Sequence, residues 1–346
     1  MNFYDVICEL NINLENRMFT VCDGDRAGEK MIVSAGEPVW MSDESGFFSL
    51  HASEAITVED GTMTAIGGER VFAELLGNEK KIVICGAGHV SMPVIEIAKM
   101  LGFRVTAIDD RPQFVQNALD HGADEGICSS FEEALANIPG DPDTFFIIVT
   151  RGHMSDSECL LSTVNKPHAY IGMIGSRRKV GLVKQMLADN GVPQDVIDSV
   201  HTPIGLKIGA ETPEEIAVSI IAEIIDVKNR NKRSSVIPSD IMAVLTAEGR
   251  DPAILATIIS KQGSSPRAAG TRMLVGEDGS ITGTIGGGCA EATVILYASE
   301  VLKNLTSKEK HEAVRPVIMN VDMTGKDVAE SGMICGGAIE VLLEVV

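Results

Sequence analysis

From Lys81 onward the chain alternates short apolar runs with amphipathic stretches of helical length. The runs are Lys81 to Cys85, Arg104 to Ile108, Glu125 to Cys128, Thr144 to Thr150 and His168 to Ile174. A chain patterned in this way buries its strands as a parallel sheet covered by helices on both faces. This predicts a Rossmann-like domain over residues 77–230. Its closing helix is well specified at the start, with Thr212 as N-cap, Pro213 in the first turn and Glu215 completing a capping box.

The flanks have a different texture. Residues 1–76 are rich in Gly, Ser, Thr and acidic residues and carry short β-like runs, Met18 to Cys22 and Lys30 to Val33, so a small β-rich module is expected. Asn229 to Ser239 is polar and breaker-rich and reads as a linker. Residues 240–346 read as an α+β module. It has a helix from Ile241 to Glu248, a strand from Ala253 to Ile259, a hairpin through Glu277, Asp278 and Gly279, a helix from Glu291 to Lys303 and a strand from Ala338 to Val346. The fold class is therefore α/β, a Rossmann-like parallel-sheet domain between two smaller modules. A length of 346 residues, more than one hydrophobic core usually serves, agrees with several domains. Ala27 to Val33 aligns with Ala269 to Val275, and both segments follow a Gly-containing loop, so the N-terminal module is a candidate degenerate copy of the C-terminal one.

Charge excludes several classes of partner. A formal net charge of −20 with no segregated basic patch repels phosphate backbones and anionic lipid, so neither nucleic acid nor membrane is expected. The most apolar helical stretch, Ile216 to Val227, is short and interrupted by Glu223 and Asp226. Seven cysteines, with no Cys-x-x-Cys pair and no basic, apolar leader, read as reduced thiols of a cytoplasmic protein.

Two glycine-rich regions carry candidate chemistry. Gly86, Ala87, Gly88, His89, Val90 and Ser91 lie between a strand and a helix, where Gly86 permits a tight turn and Gly88 lets backbone N–H groups approach a pyrophosphate. Asp109 and Asp110 end the next strand, 23 residues after Gly86 for the first of them, at the usual place of a ribose-binding acid. Arg151, His153, Ser176, Arg177 and Arg178 lie at later strand ends, where the arginines suit phosphate and His153 suits a ribose or a proton. NAD(P) or another nucleotide fits these residues. The plain alternative is a glycine turn with exposed polar loop residues around it.

The second region lies near the C-terminus. Gly263, Ser264, Ser265, Pro266 and Arg267 follow a strand, and Gly286, Gly287, Gly288, Cys289, Ala290 and Glu291 enter a helix. Three successive glycines cost folding entropy and are useful where a ligand must lie against bare backbone. A thiol at a helix N-terminus is shifted toward thiolate from an ordinary pKa of about 8.5. Cys335 precedes Gly336 and Gly337 and places a second thiol beside glycines. Cys8, Cys22, Cys85, Cys128 and Cys159 take the usual reading of a lone cysteine, a buried small hydrophobe.

Gly86 to Val90, Ala107 to Arg111, Val149 to His153, Tyr170 to Lys179 and His201 to Ile216 resemble the Rossmann domain of xanthine dehydrogenase accessory proteins, over about residues 71–228. Residues 241–346 resemble the CoxI domain of the same XdhC/CoxI family, here placed after the Rossmann part. The resemblance implies an accessory protein that binds the molybdenum cofactor as cargo, supports its sulfuration with a cysteine desulfurase and delivers it to a molybdenum hydroxylase. It carries over Ser264, Ser265, Arg267, Gly287, Gly288, Cys289, Glu291 and Cys335, with Cys289 as the candidate molybdenum contact. Two rival readings are an NAD(P)-dependent oxidoreductase using the Rossmann domain, and a scaffold that joins desulfurase to hydroxylase. A homodimer is the prior from symmetry statistics.

Overall fold

The computed structural model describes residues 3–230, 237–263, 267–305, 314–322 and 337–346, with the backbone alone at His153, Arg177, Arg178, Lys179 and Cys289. The chain forms two compact units: Met1–Asn78 together with Lys232–Val346, and Glu79–Asn231.

The N-terminal segment runs α1 (Phe3–Glu9), β1 (Asn16–Val21), β2 (Lys30–Ser34), β3 (Glu37–Met41), α2 (Phe47–Ala55), β4 (Met63–Ile66) and β5 (Glu69–Leu76). Its five strands form an antiparallel sheet in the order β3-β2-β1-β5-β4. Successive strand residues point to opposite faces, so Phe19, Val21, Met31, Val33, Val71 and Ala73 gather under Phe47 and Phe48 of α2. Met18, Thr20 and Phe72, one residue out of phase, are buried on the other face. The two helices were not part of the β-rich expectation for this segment.

The second unit runs β6 (Lys81–Cys85), α3 (Ser91–Met100), β7 (Arg104–Asp109), α4 (Pro112–Asp120), β8 (Glu125–Cys128), α5 (Phe131–Ala136), β9 (Thr144–Ile148), α6 (His153–Thr163), β10 (Tyr170–Met173), α7 (Arg177–Asp189), α8 (Gln194–Ser199) and α9 (Pro213–Arg230). The strands form a parallel sheet in the order β10-β9-β6-β7-β8. One face packs Ile82, Ile84, Phe145 and Ile147 against α3 and α9, and the other packs Val83, Phe146 and Ile148 against α5, α6 and α7. Burial on both faces is why these strands read as unbroken apolar runs. α9 begins as expected: Thr212 N–H donates to Glu215 Oε2 at 3.2 Å, and Glu215 N–H donates to Thr212 Oγ1 at 3.3 Å.

The C-terminal segment runs α10 (Ser239–Leu245), β11 (Ala253–Gly263), β12 (Arg272–Gly276), β13 (Ile281–Gly283), α11 (Gly288–Asn304), β14 (Val317–Asp322) and β15 (Gly337–Val345). Its antiparallel sheet has the order β13-β12-β11-β15-β14, which repeats the N-terminal sheet strand for strand. The register repeats too. Thr20 faces Lys30 and Phe72, and Thr257 faces Arg272 and Leu342; Met63 faces Phe72, and Ile318 faces Leu342. Among the described residues no helix is long and apolar enough to cross a membrane.

Candidate functional site

In the parallel sheet, β6 lies between β7 and β9, so chain order reverses at its carboxyl end. Ligands of open α/β sheets bind at such a switch point. Gly86 turns the chain there with φ of 101°, and its N–H donates to the Ile108 carbonyl at 2.8 Å. A methyl group at Gly86 would lie 2.7 Å from the Val149 carbonyl oxygen, so the close approach of the β9 end requires glycine. Gly88 has open space where a side chain would be. Ser91, at the place of a third glycine, is fully buried and donates its hydroxyl hydrogen to the Gly86 carbonyl. It closes the loop while keeping α3 against the sheet.

Asp109 is buried, and four donors fill its carboxylate. Ala87 N–H and Arg111 Nη2 reach Oδ2 at 2.8 and 2.9 Å, while Arg111 N–H and Nε reach Oδ1 at 3.1 and 2.8 Å. Burial alone would raise its pKa, but the bonds from Arg111 and the Ala87 N–H outweigh burial and hold it below the usual carboxylate range. Asp109 thus ties the glycine loop to β7, and Asp110 is the exposed acid at this edge. Arg151 Nη2 meets Asp110 at 3.2 Å, joining the ends of the two strands that flank β6. Thr150 is anchored by its hydroxyl to the buried Asp156 at 2.7 Å. His89 and Ser176 are exposed at the same edge, and α6 and α7 begin at His153 and Arg177.

The sequence reading missed Arg111 as the partner of Asp109, although a cation two residues past a strand-end acid signals that pairing. It also did not place Glu223. That carboxylate accepts from Tyr170 Oη at 2.6 Å and from Gly205 N–H at 2.9 Å, and lies 3.2 Å from His201 Nδ1. The conspicuous segment from His201 to Gly205 therefore holds the sheet edge to α9.

In the C-terminal sheet, glycines close three of the strand pairings, at two different levels along β11. Gly263 ends β11 opposite Gly337, the first residue of β15, while Gly283 ends β13 opposite Met273, next to the first residue of β12. Gly286, Gly287 and Gly288 follow with φ of 124°, 75° and 67°, a conformation that other residues adopt only with strain. Gly287 is the N-cap of α11, and Cys289 is the second residue of that helix. Glu291 Oε2 accepts from Gly287 N–H at 2.8 Å and from Thr284 Oγ1 at 2.8 Å, so it shapes the glycine turn. Arg267 is exposed in the connection between β11 and β12. Ser264, Ser265 and Cys335 lie outside the described residues.

The remaining cysteines divide. Cys22, Cys85 and Cys159 are buried as expected, but Cys8 and Cys128 are exposed, because one lies on a terminal helix and the other on an edge strand. Burial, reinforced by the nearby Glu344 charge, pushes the Cys22 thiol up to about 12, which keeps it inert. Among the described residues no group of three or more His, Cys, Asp or Glu side chains could hold a metal ion.

Comparison with known proteins adds a family to these two frames. Residues 82–224 match the XdhC Rossmann domain, and residues 246–312 match the XdhC and CoxI family. The chain is 36% identical over 164 residues to the uncharacterized protein YqeB of Escherichia coli strain K12, covering 47% of this chain and 30% of that protein. It is 31% identical over 160 residues to a probable xanthine dehydrogenase subunit of Bacillus subtilis strain 168, covering 46% of each. The match thus spans less than half the length of either curated relative. A crystal structure named as a xanthine dehydrogenase, from Bacillus halodurans, superposes with a TM-score of 0.50 over 66% of both chains at 24% identity and shares the fold. With one family description on the parallel sheet and the other on the glycine-rich module, the chain belongs to the XdhC and CoxI family.

Proposed function

We propose that the protein is an accessory factor for a xanthine dehydrogenase-type molybdenum hydroxylase: it binds the molybdenum cofactor, supports its sulfuration by a cysteine desulfurase and hands it to the apo-enzyme. The observation that carries this reading is the run of positive-φ glycines, Gly283 and Gly286 to Gly288, that leads into the N-terminal end of α11 and Cys289. Bare backbone at that end suits a flat pterin with N–H donors and no side chains in the way. The metal of this cargo is already held by its own dithiolene sulfurs, so the protein needs one soft contact rather than a ligand cluster. Cys289, in the first turn of α11, is the residue we assign to that contact, with Cys335 second; Arg267 is assigned to the phosphate. The Bacillus subtilis relative, named for a xanthine dehydrogenase, supports the choice of partner. At the Rossmann edge we assign a nucleotide, either NAD(P) or the nucleotide end of a dinucleotide cargo, to the open space beside Gly88.

Anaerobic purification from a molybdenum-replete host, followed by metal analysis and pterin fluorescence, tests the cargo directly. The wild type is expected to carry both, and Cys289→Ala to lose most of the molybdenum and to fail in restoring hydroxylase activity. Full restoration by Cys289→Ala would refute the thiol assignment. NADH consumption with carbonyl substrates by a metal-free preparation would favour the oxidoreductase reading that the glycine loop also accommodates.

A further inference from the structure

The two outer segments repeat one order of elements, a helix, three strands, a helix and two strands, with the same strand order in each sheet. By register, Lys30 corresponds to Arg272, Arg70 to Glu340, Phe72 to Leu342, Glu74 to Glu344 and Met63 to Ile318. Their contacts are reciprocal. Arg272 of the second segment binds Glu74 of the first at 2.8 and 2.7 Å, and Lys30 of the first binds Glu344 of the second at 2.6 Å. Contacts in which i meets j while j meets i define an isologous interface, the kind that ordinarily joins two chains about a two-fold axis. Positions that meet their own counterparts lie at that axis. Phe72 and Leu342 share one buried apolar cluster, flanked by Met63 and Ile318, and Arg70 Nη1 donates to Glu340 Oε1 at 3.1 Å.

Such faces can pair in three ways, and the off-axis ion pairs do not distinguish them. Two second segments would set Arg272 against Glu344 twice, and two first segments would set Lys30 against Glu74 twice, so each is as well matched in charge as the pairing observed. Only the axis differs. There a face meets itself: two second segments would bring Glu340 against Glu340 and two first segments Arg70 against Arg70, whereas the unlike pairing brings Arg70 to Glu340. A charge on a two-fold axis therefore opposes its own kind, and like-charge juxtaposition is a means by which an interface excludes a wrong partner. Asp23 holds Arg70 from the first segment, with Nε to Oδ2 at 2.5 Å, and so aims the guanidinium.

We propose that this sheet face is a self-recognition surface whose partner is carried in the same chain. The first segment takes the place that a second copy of the protein would take on the face of the second segment, and the axial Arg70–Glu340 pair favours this internal copy over the same face of another chain. Tethering acts in the same direction, since the two faces meet at the effective concentration set by one chain.

Two measurements on the full-length protein test this. Trp40 fluorescence in urea follows the unit that holds both segments, and its midpoint is expected to stay constant over about a hundred-fold range of protein concentration. A midpoint that rises with concentration means that a second chain supplies part of the fold, and it overturns closure within one chain. The axial charge is tested by a cycle of variants. Glu340→Arg, which places like charges at the axis, is expected to raise the unfolding equilibrium constant about three- to five-fold more than Glu340→Gln does, and this difference is expected to vanish in the Arg70→Gln background. The side chains of Arg70 and Glu340 are 37% and 24% exposed, so substitution leaves no buried charge behind and the variants fold. A merely structural role for Glu340 would keep the difference between its two variants when Arg70 is replaced. That result, or equal effects of the two variants beside native Arg70, overturns the axial assignment.

Discussion

Arg272 and Glu74 lie at the junction of the two outer segments with side chains only 2% exposed, so removing either strands a charge away from water. Arg272 Nη2 reaches both Glu74 oxygens, and Nη1 donates to the Gly270 carbonyl at 2.9 Å. Breaking a buried pair from one side costs about 3–5 kcal/mol, so Arg272→Met and Glu74→Leu should each lose about that much. Replacing both partners by apolar side chains is often close to neutral; the double variant should lose only about 1 kcal/mol, mainly from the orphaned Gly270 carbonyl. The coupling between the two sites should therefore exceed about 3 kcal/mol. Trp40, the only tryptophan, lies in the same compact unit, so its fluorescence in urea follows this junction and not the parallel-sheet unit. Single losses under about 1 kcal/mol, as for an exposed surface pair, or strictly additive losses would refute the claim that this pair holds the segments together.

Two further outcomes concern the parallel-sheet unit. Gly86→Ala combines a φ of 101° with a methyl 2.7 Å from a backbone oxygen; strain alone should cost about 1–3 kcal/mol, seen as a lower melting temperature by circular dichroism, and an unchanged melt would contradict the packing described. Burial alone would raise the pKa of Glu223, but hydrogen bonds from His201, Tyr170 and the Gly205 N–H hold it below the usual range. Its contribution is then present above the unfolded value of about 4.3 and lost as pH falls through the lower folded value, so Glu223→Gln should flatten the acid limb of the stability curve; parallel curves for variant and wild type would show that the carboxylate carries no such linkage.

Much of the parallel-sheet unit was legible because burial on both strand faces leaves a local mark, five apolar runs between helices, and because the Thr212 to Glu215 capping box is a short-range device. The glycine loop was legible for the same reason: Gly86 answers a local backbone need. The role of Asp109 was not. Whether a strand-end acid faces a ligand or its neighbours depends on the direction of Arg111 and the loop N–H groups, and spacing does not encode that.

The outer segments show the division most sharply. From the amino-acid order alone came several strands of each, the glycines at their turns and, through seven aligned positions, Ala27 to Val33 with Ala269 to Val275, the sign that they are related, while α1 and α2 of the first were not legible. The folded arrangement was needed to show that the two sheets share one compact unit, are joined by Arg272–Glu74 and Lys30–Glu344, and set Gly263 opposite Gly337. The physical reason is range. Glycine conformation and helix capping are settled within a few residues, whereas partners 198 and 314 positions apart in the chain meet only when two sheets bury their second faces against each other.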